Sequence, residues 1–236
     1  MKALLYKEFK LAMHPICYVF ICLFPMMILI PSYPIGVGFI YLMSCYPVLF
    51  LGANKGQQSN DLLYSTLLPI RKRDIVKARI FTVSIMQFAY IALMCALLPV
   101  AFWIQGNISA EQIAQSGASS TTIPGIPLEG FGSAIAFGLI GFSIADLIFF
   151  PIYYKNGKSI VMSTLLTILG FVVYLGLFTV GLPYIPVVGE GFINIFCNPS
   201  MLWAQFAFLG VALAIYVVLH LLVYKISSKR LERVDF

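Results

Sequence analysis

Charged residues are scarce in this chain, and their scarcity excludes an ordinary soluble fold. Asp, Glu, Lys and Arg account for 10% of the residues, against roughly 25% in typical soluble domains. Hydrophobic residues account for 61%, and the mean hydropathy is +0.95. A soluble chain of this composition would leave most of its apolar surface in water. The sequence therefore predicts a membrane protein.

Residue types that bind metals are also few. The sequence contains two histidines and five cysteines. Four of the cysteines fall in apolar stretches and the fifth, Cys197, stands apart, so no metal-ligand spacing is present. Buried cysteine usually serves as a small apolar side chain. We therefore predict no metal site.

A complete nucleotide-binding motif is missing as well. Gly157-Lys158-Ser159 resembles the end of a phosphate-binding loop, but that loop needs a glycine five residues before Gly157. Ile152 occupies this position. We expect a short cytoplasmic turn here and no ATP site in this chain.

Long uncharged blocks predict six membrane-spanning helices, because each span needs about 20 mostly apolar residues. The first block, Pro15–Asn54, is long enough for two spans with a turn near Pro31 and Pro34. We expect an all-α polytopic membrane protein in which residues 1–236 form a single domain. The expected spans are about 15–32, 35–53, 80–104, 131–154, 159–182 and 202–224.

The positive charges give this arrangement an orientation. With six spans, both termini lie on one side of the membrane, and all 15 Lys and Arg residues fall on that side. The opposite loops carry only Glu111, Glu129 and Glu190. Because Lys and Arg are enriched in cytoplasmic loops, both termini are expected in the cytoplasm.

A polar segment between spans two and three, 54–79, predicts a short cytosolic coupling helix. Asn60 or Asp61 can cap its first turn, and Pro69 ends it. A helix of about two turns is too short to be stable alone, so we expect it to dock into a partner. Its expected docking residues are Asn60, Asp61, Leu62, Leu63, Tyr64, Leu67, Leu68 and Pro69. Its expected basic flank is Arg71, Lys72, Arg73, Lys77 and Arg79.

The N-terminal segment 1–14 predicts an amphipathic helix lying in the membrane interface. Apolar residues such as Leu5 and Phe9 recur at helical spacing, while Lys7 and Lys10 fall on a second stripe. Such a helix turns its basic face toward the cytosol. It either only anchors the first span or also contacts a cytosolic partner through Lys7 and Lys10.

Asp146 is the only acidic residue inside a predicted span, and such residues are rare enough to suggest a function. It precedes Lys155 by nine residues, which places it about 13 Å from the inner end of its helix. An inner basic side chain such as Arg79 could reach toward it, and no basic partner is expected at its own depth. A structural ion pair and a role in gating or substrate passage both stay open.

The near absence of charge in the spans also bears on a cargo. Without charges to neutralise it, a small ion would have no favourable place along the route. An amphipathic or lipid-like molecule could instead lie against aromatic residues of the spans. The residues expected to face it are Phe137, Phe142, Phe171 and Phe178.

The sequence around the coupling segment resembles one known family. Residues 67–79 read Leu-Leu-Pro-Ile-Arg-Lys-Arg-Asp-Ile-Val-Lys-Ala-Arg, similar to the Leu-Pro-x-x-Arg-x-x-Ile-Val-x-x-Arg loop of type-2 ABC exporter permeases. The chain looks most like the six-span permeases of the phenol-soluble modulin exporter. One departure is Ile70, where these permeases often have a small polar residue that caps the next helix.

The resemblance implies a subunit of a larger pump in the bacterial cytoplasmic membrane. Two permease chains, identical or different, would pair in the membrane, and each would receive a cytosolic ABC ATPase subunit. ATP and Mg²⁺ would bind to the ATPase, so this chain would be no enzyme and hold no cofactor. The implied cargo is a cytolytic or antimicrobial peptide.

Three other classes were weighed against this interpretation. An ion-coupled secondary transporter normally places ionisable groups near the midplane, where this chain offers one carboxylate. An intramembrane protease could use Ser143 with His220, but their distances from Lys155 and Lys225 put them roughly 10 Å apart in depth. A sensor that transports nothing is the third class, and it predicts that no ATPase copurifies.

Overall fold

The computed structural model describes residues 2–12, 16–29, 70–107, 130–156, 160–177 and 201–233. In these residues 97% of the chain is helical and no strand occurs, which confirms the all-α prediction. Helix α1 (Lys2–Lys7) continues as a π-helical turn (Glu8–Ala12), and α2 (Ile16–Leu23) is followed by a 3₁₀ helix (Pro25–Leu29). The remaining helices are α3 (Lys72–Asn107), α4 (Phe131–Asn156), α5 (Ile160–Gly176) and α6 (Leu202–Glu232).

Three of these helices are long and apolar enough to cross a membrane. They are α3 over Lys72–Ile104, α4 over Phe131–Lys155 and α6 over Leu202–Glu232, at the places of the predicted third, fourth and sixth spans. Helix α5 is apolar but shorter, with 17 residues. At 1.5 Å per residue it is about 26 Å long, slightly less than a bilayer core of about 30 Å.

The other predicted spans are described only in part. In the region of the first span, α2 ends at Leu23 and the helix tightens to 3₁₀ geometry from Pro25, because proline has no N–H for the α-helical ladder. The second span, 35–53, and the coupling segment, 60–69, lie outside the described residues. The span count of six therefore stays a prediction.

Helix α4 is the centre of the described bundle. In its most apolar stretch 67% of the residues are buried inside the chain, against 28% for α3 and 22% for α6. Helices α5 and α6 pack against α4, and α3 packs against α6 and the 3₁₀ helix. Small residues permit this close approach: a Cβ atom at Gly141 of α4 would lie 3.0 Å from the Phe171 ring of α5.

The charged ends of the helices meet at one end of the bundle. The Arg73 guanidinium at the start of α3 pairs with Glu232 at the end of α6, 2.5 Å from Nε to Oε1. Arg230 of α6 donates to the main-chain oxygen of Pro151 near the end of α4 at 2.6 Å. These contacts place the basic ends of α3, α4 and α6 on one side, in agreement with the charge distribution in the sequence.

Helix α6 is longer than the predicted span 202–224. It continues through Lys225 to Glu232, so the basic residues after the apolar run belong to the same helix. Lys, Arg, Leu and Glu are all good helix formers, and nothing in the tail breaks the helix. Because the helix does not end near Lys225, the depth in the membrane that was estimated for His220 from its distance to Lys225 no longer holds.

Candidate functional site

Four polar side chains meet in the interior where α3, α4 and α6 pack together. They are Gln87 of α3, Asp146 of α4, and Tyr216 and His220 of α6, and all four are buried. We call this group the Asp146 cluster. A buried polar group in an apolar interior is costly unless it is hydrogen-bonded, so the partners of each atom decide what the cluster can do.

The Asp146 carboxyl group is contacted from two helices. The Gln87 side-chain amide donates to Asp146 Oδ2 at 3.1 Å, and His220 Nε2 lies 2.9 Å from the same oxygen. The Tyr216 hydroxyl donates to Gln87 Oε1 at 2.5 Å. The cluster therefore links α3, α4 and α6 through a continuous chain of polar contacts.

The imidazole of His220 is held in a fixed orientation by α6 itself. Its Nδ1 lies 2.9 Å from the main-chain oxygen of Tyr216, one turn earlier, and the Tyr216 ring stacks on it with centroids 3.9 Å apart. Spacing of four residues puts both side chains on one face of the helix. The face they share is the one that packs on Asp146.

The structure corrects two expectations about Asp146. Arg79 does not reach it, because the Arg79 guanidinium is bound elsewhere, to Glu8. The expectation of no basic partner at its depth is also wrong, since His220 lies beside it. The error came from measuring depth from Lys225, although α6 continues to Glu232. Gln87 and Tyr216 are polar residues in apolar runs of the sequence, and that pattern is the signal that could have indicated the cluster.

Arg79 forms a second buried site with the N-terminal segment. Its Nε and Nη2 donate to the Glu8 carboxylate at 3.0 and 3.4 Å, and Nη1 donates to the Tyr153 hydroxyl at 3.1 Å. The Arg79 and Glu8 side chains are 6% and 2% exposed. Two-pronged arginine–carboxylate contacts are among the stronger ion pairs. We call this the Glu8–Arg79 pair.

Sequence reasoning missed Glu8. It lies between Lys7 and Lys10, in a helix that was interpreted from its basic and apolar residues alone. Neither helix periodicity nor charge counting shows that a carboxylate in the π-helical turn after α1 will contact an arginine on α3. The pair joins residues 71 positions apart in the sequence.

The remaining predicted partner-contact residues are only partly described. At the N-terminus, the Lys10 ammonium donates to the Tyr6 hydroxyl at 2.8 Å, and Lys7 is half-buried. In the basic flank, Arg71 and Lys77 are exposed, Lys72 is half-buried and Arg73 binds Glu232. The predicted docking residues Asn60, Asp61, Leu62, Leu63, Tyr64, Leu67, Leu68 and Pro69 lie outside the described residues.

The aromatic residues proposed for a cargo pack mainly within the chain. Phe142 and Phe171 are buried, with Phe142 against Tyr90 and Phe171 against Tyr174. Phe137 is half-buried and packs edge-on against Phe208 at 5.3 Å. Phe178 lies outside the described residues. A role for these rings in cargo contact stays a prediction.

The residues considered for an intramembrane protease have other partners. The Ser143 hydroxyl donates to the main-chain oxygen of Leu139 in its own helix at 2.8 Å, whereas His220 faces Asp146. The depth difference used against this pair was wrong, because His220 contacts a residue less than one turn from Ser143. In the described geometry the two side chains do not form a nucleophile and base.

Within the described ranges, no group of three or more His, Cys, Asp or Glu side chains is arranged to hold a metal ion.

Comparison of the chain with protein-family models, with curated proteins and with solved structures finds no match.

Proposed function

We propose that this chain is the membrane-spanning subunit of an ATP-driven ABC exporter of the type-2 class. It pairs with a second permease chain and with two cytosolic ATPase subunits, which bind ATP and Mg²⁺. The complex expels an amphipathic or hydrophobic cargo, such as a cytolytic or antimicrobial peptide, across the bacterial cytoplasmic membrane. The basis is the resemblance of residues 67–79 to the loop of these permeases.

The observation that carries the proposal is the Glu8–Arg79 pair. Helix α3 begins at Lys72, directly after the proposed coupling helix at 61–68, so a force on that helix acts on the base of α3. The pair joins the π-helical turn that follows α1 to α3, two turns above this base. The N-terminal segment is thus joined by one buried ion pair to α3, the helix that follows the proposed coupling helix, and the two would move together.

The Asp146 cluster offers a route from α3 to the other helices. Gln87 lies on α3 and donates to Asp146 of α4, which in turn contacts His220 of α6. Hydrogen-bond networks of this kind carry coupling between rigid elements when the elements have two arrangements. A displacement of α3 by the ATPase would therefore change the position of α4 and α6, as an exporter requires.

The coupling helix is tested by Leu63→Ala combined with Leu67→Ala. The double variant truncates two of the five apolar and aromatic docking residues, one helical turn apart, so the ATPase subunit should separate from the detergent-purified complex and ATP hydrolysis should disappear. The matched control is Leu221→Ala with Leu222→Ala, which shortens two exposed leucines of α6. Copurification and ATPase coupling that equal the control would contradict the proposal.

An ion-coupled secondary transporter is the second candidate, and the Asp146–His220 contact favours it. Transporters of this class place ionisable groups inside the membrane at the site of ion binding. The two candidates differ in their energy source. Peptide transport by liposomes that contain this chain alone, driven by a pH gradient without ATP, would support the second candidate over the exporter.

A further inference from the structure

We propose that the basic ends of α3 and α6 form a binding site for one anionic phospholipid. The phosphate of its headgroup lies among Lys77 of α3 and Lys225 and Lys229 of α6. Its acyl chains lie along the exposed apolar faces of the same two helices. The site requires neither an ATPase nor an ion gradient, so the inference holds for either candidate function.

The three lysines carry positive charges that the chain does not compensate. Their side chains are exposed, and their ammonium groups have no ion-pair or hydrogen-bond partner among the described residues. Other basic residues at this end of the bundle differ, because Arg73 binds Glu232 and Arg79 binds Glu8. The lysines are therefore the ones available to an anion from outside the chain.

Helices α3 and α6 lie side by side and antiparallel at this end. The Arg73 guanidinium joins Glu232 at the base of the two helices. Further along α3, Gln87 accepts a hydrogen bond from Tyr216, which comes earlier in α6 than Glu232. Because the two contacts advance in opposite directions along the two sequences, the stretches between them lie on neighbouring helices at matching heights.

The lysines surround the ion pair at the base. Lys77 follows Arg73 by four residues, while Lys229 and Lys225 precede Glu232 by three and seven residues. These spacings place side chains on one face of a helix. Since Arg73 and Glu232 are in contact, the faces that carry the lysines are adjacent. Lys225 and Lys229 also repel each other, as like charges four residues apart on a helix do, and a phosphate beside them would offset this repulsion.

Exposed apolar side chains continue both faces toward the middle of the membrane. Phe81 and Phe88 follow Lys77 on its face of α3, and Leu221 precedes Lys225 on its face of α6; all three are exposed. A lysine near the end of such a helix lays its hydrocarbon stem on the apolar surface and extends its ammonium to the headgroups. Basic pockets between membrane helices are typical binding sites for anionic headgroups.

This order of charge and apolar surface distinguishes a phospholipid from other anions. A soluble phosphate would use the lysines and leave the apolar faces unused. An acidic surface of an ATPase subunit could approach Lys77, which belongs to the predicted basic flank, but it would not cover the membrane-facing residues above. A phospholipid contacts both parts at once.

Native mass spectrometry of the detergent-purified chain tests the site. Dioleoyl phosphatidylglycerol is the anionic probe, and dioleoyl phosphatidylcholine, with the same acyl chains, is the reference. We expect one phosphatidylglycerol to bind on the order of 100-fold more tightly than phosphatidylcholine, since each lysine beside an anionic headgroup contributes about fivefold. The combined variant Lys77→Gln, Lys225→Gln and Lys229→Gln should lose this preference.

The matched control is Arg71→Gln with Lys155→Gln and Arg233→Gln. It removes the same number of positive charges from exposed side chains at the same end of the bundle, also without a described side-chain partner. The control should keep the preference for phosphatidylglycerol. An equal loss in both variants would show that only net charge matters and would overturn the site.

Two further results would contradict the proposal. Displacement of bound phosphatidylglycerol by glycerophosphoglycerol at equal concentration would mean that the acyl chains contribute nothing. An unchanged preference in the lysine variant, together with loss of a copurifying ATPase, would assign the lysines to a protein contact instead. All variants should melt like the unmodified chain in phosphatidylcholine. If the triple variant does not, Lys225→Gln and Lys229→Gln give the same comparison singly, at about fivefold each.

Discussion

At the scale of single residues, the described part of the chain buries two contacts between an acidic and a basic side chain, and the surroundings of the two contacts differ. The Glu8–Arg79 pair lies at the charged end of the bundle with an aromatic hydroxyl, Tyr153, as third partner. The Asp146–His220 contact lies among apolar helices and is completed by an amide, Gln87. Removing one partner of a buried pair leaves an uncompensated charge, which is more costly than replacing both partners.

The Glu8–Arg79 pair provides a direct prediction of stability. Glu8→Gln leaves Arg79 buried without a counter-charge, so we expect unfolding to become easier by about 3–5 kcal/mol. The double variant Glu8→Leu with Arg79→Met replaces both ions by apolar side chains and should recover most of that loss. Thermal melting in detergent measures both effects. As control, Arg73→Ala breaks an exposed pair and should change the melting temperature little. Equal losses for Glu8→Gln and Arg73→Ala would show that burial does not matter here.

At the scale of helices, close packing around α4 depends on glycine. A Cβ atom at Gly141 would lie 3.0 Å from Phe171 Cε2 and 3.3 Å from Tyr174 Cε1, both on α5. On the other side, a Cβ atom at Gly132 would lie 3.1 Å from Gln205 Oε1 of α6. Bilayer helices associate through such close contacts because lipid offers no hydrophobic driving force between them.

Substitution of Gly141 should therefore separate α4 from α5. A leucine at this position cannot fit between the two aromatic rings without displacing them, and overpacking of this kind costs about 1–3 kcal/mol. The matched control is Gly210→Leu, because a Cβ atom at Gly210 meets nothing within 4 Å. Melting of the two variants should differ clearly. If Gly210→Leu is destabilised as much as Gly141→Leu, helix propensity rather than packing explains the loss.

At the scale of the whole molecule, the sequence predicts the helices better than their mutual positions. The uncharged blocks locate α3, α4 and α6, since length and hydropathy are properties of each segment alone. The partners of Asp146 and Arg79 were not predicted, because a side-chain pair depends on which faces of two helices meet and where each helix ends. For example, α6 continues to Glu232, and His220 lies beside Asp146, although counting from Lys225 had placed it nearer the inner end of its helix.

The arrangement of the whole bundle also leads to a prediction about cargo. Asp146 accepts a hydrogen bond from Gln87 and lies beside His220, and burial of an unpaired small ion among apolar helices would cost several kcal/mol. An amphipathic peptide could instead bury its apolar face, at about 25 cal/mol per Å², and keep its polar face toward water or a second chain. We expect ATP hydrolysis by the reconstituted complex to be stimulated by several unrelated amphipathic helical peptides. A scrambled peptide of equal composition but without an apolar face should stimulate it little. Stimulation by a sugar or an inorganic ion, with no response to either peptide, would contradict this account of the cargo.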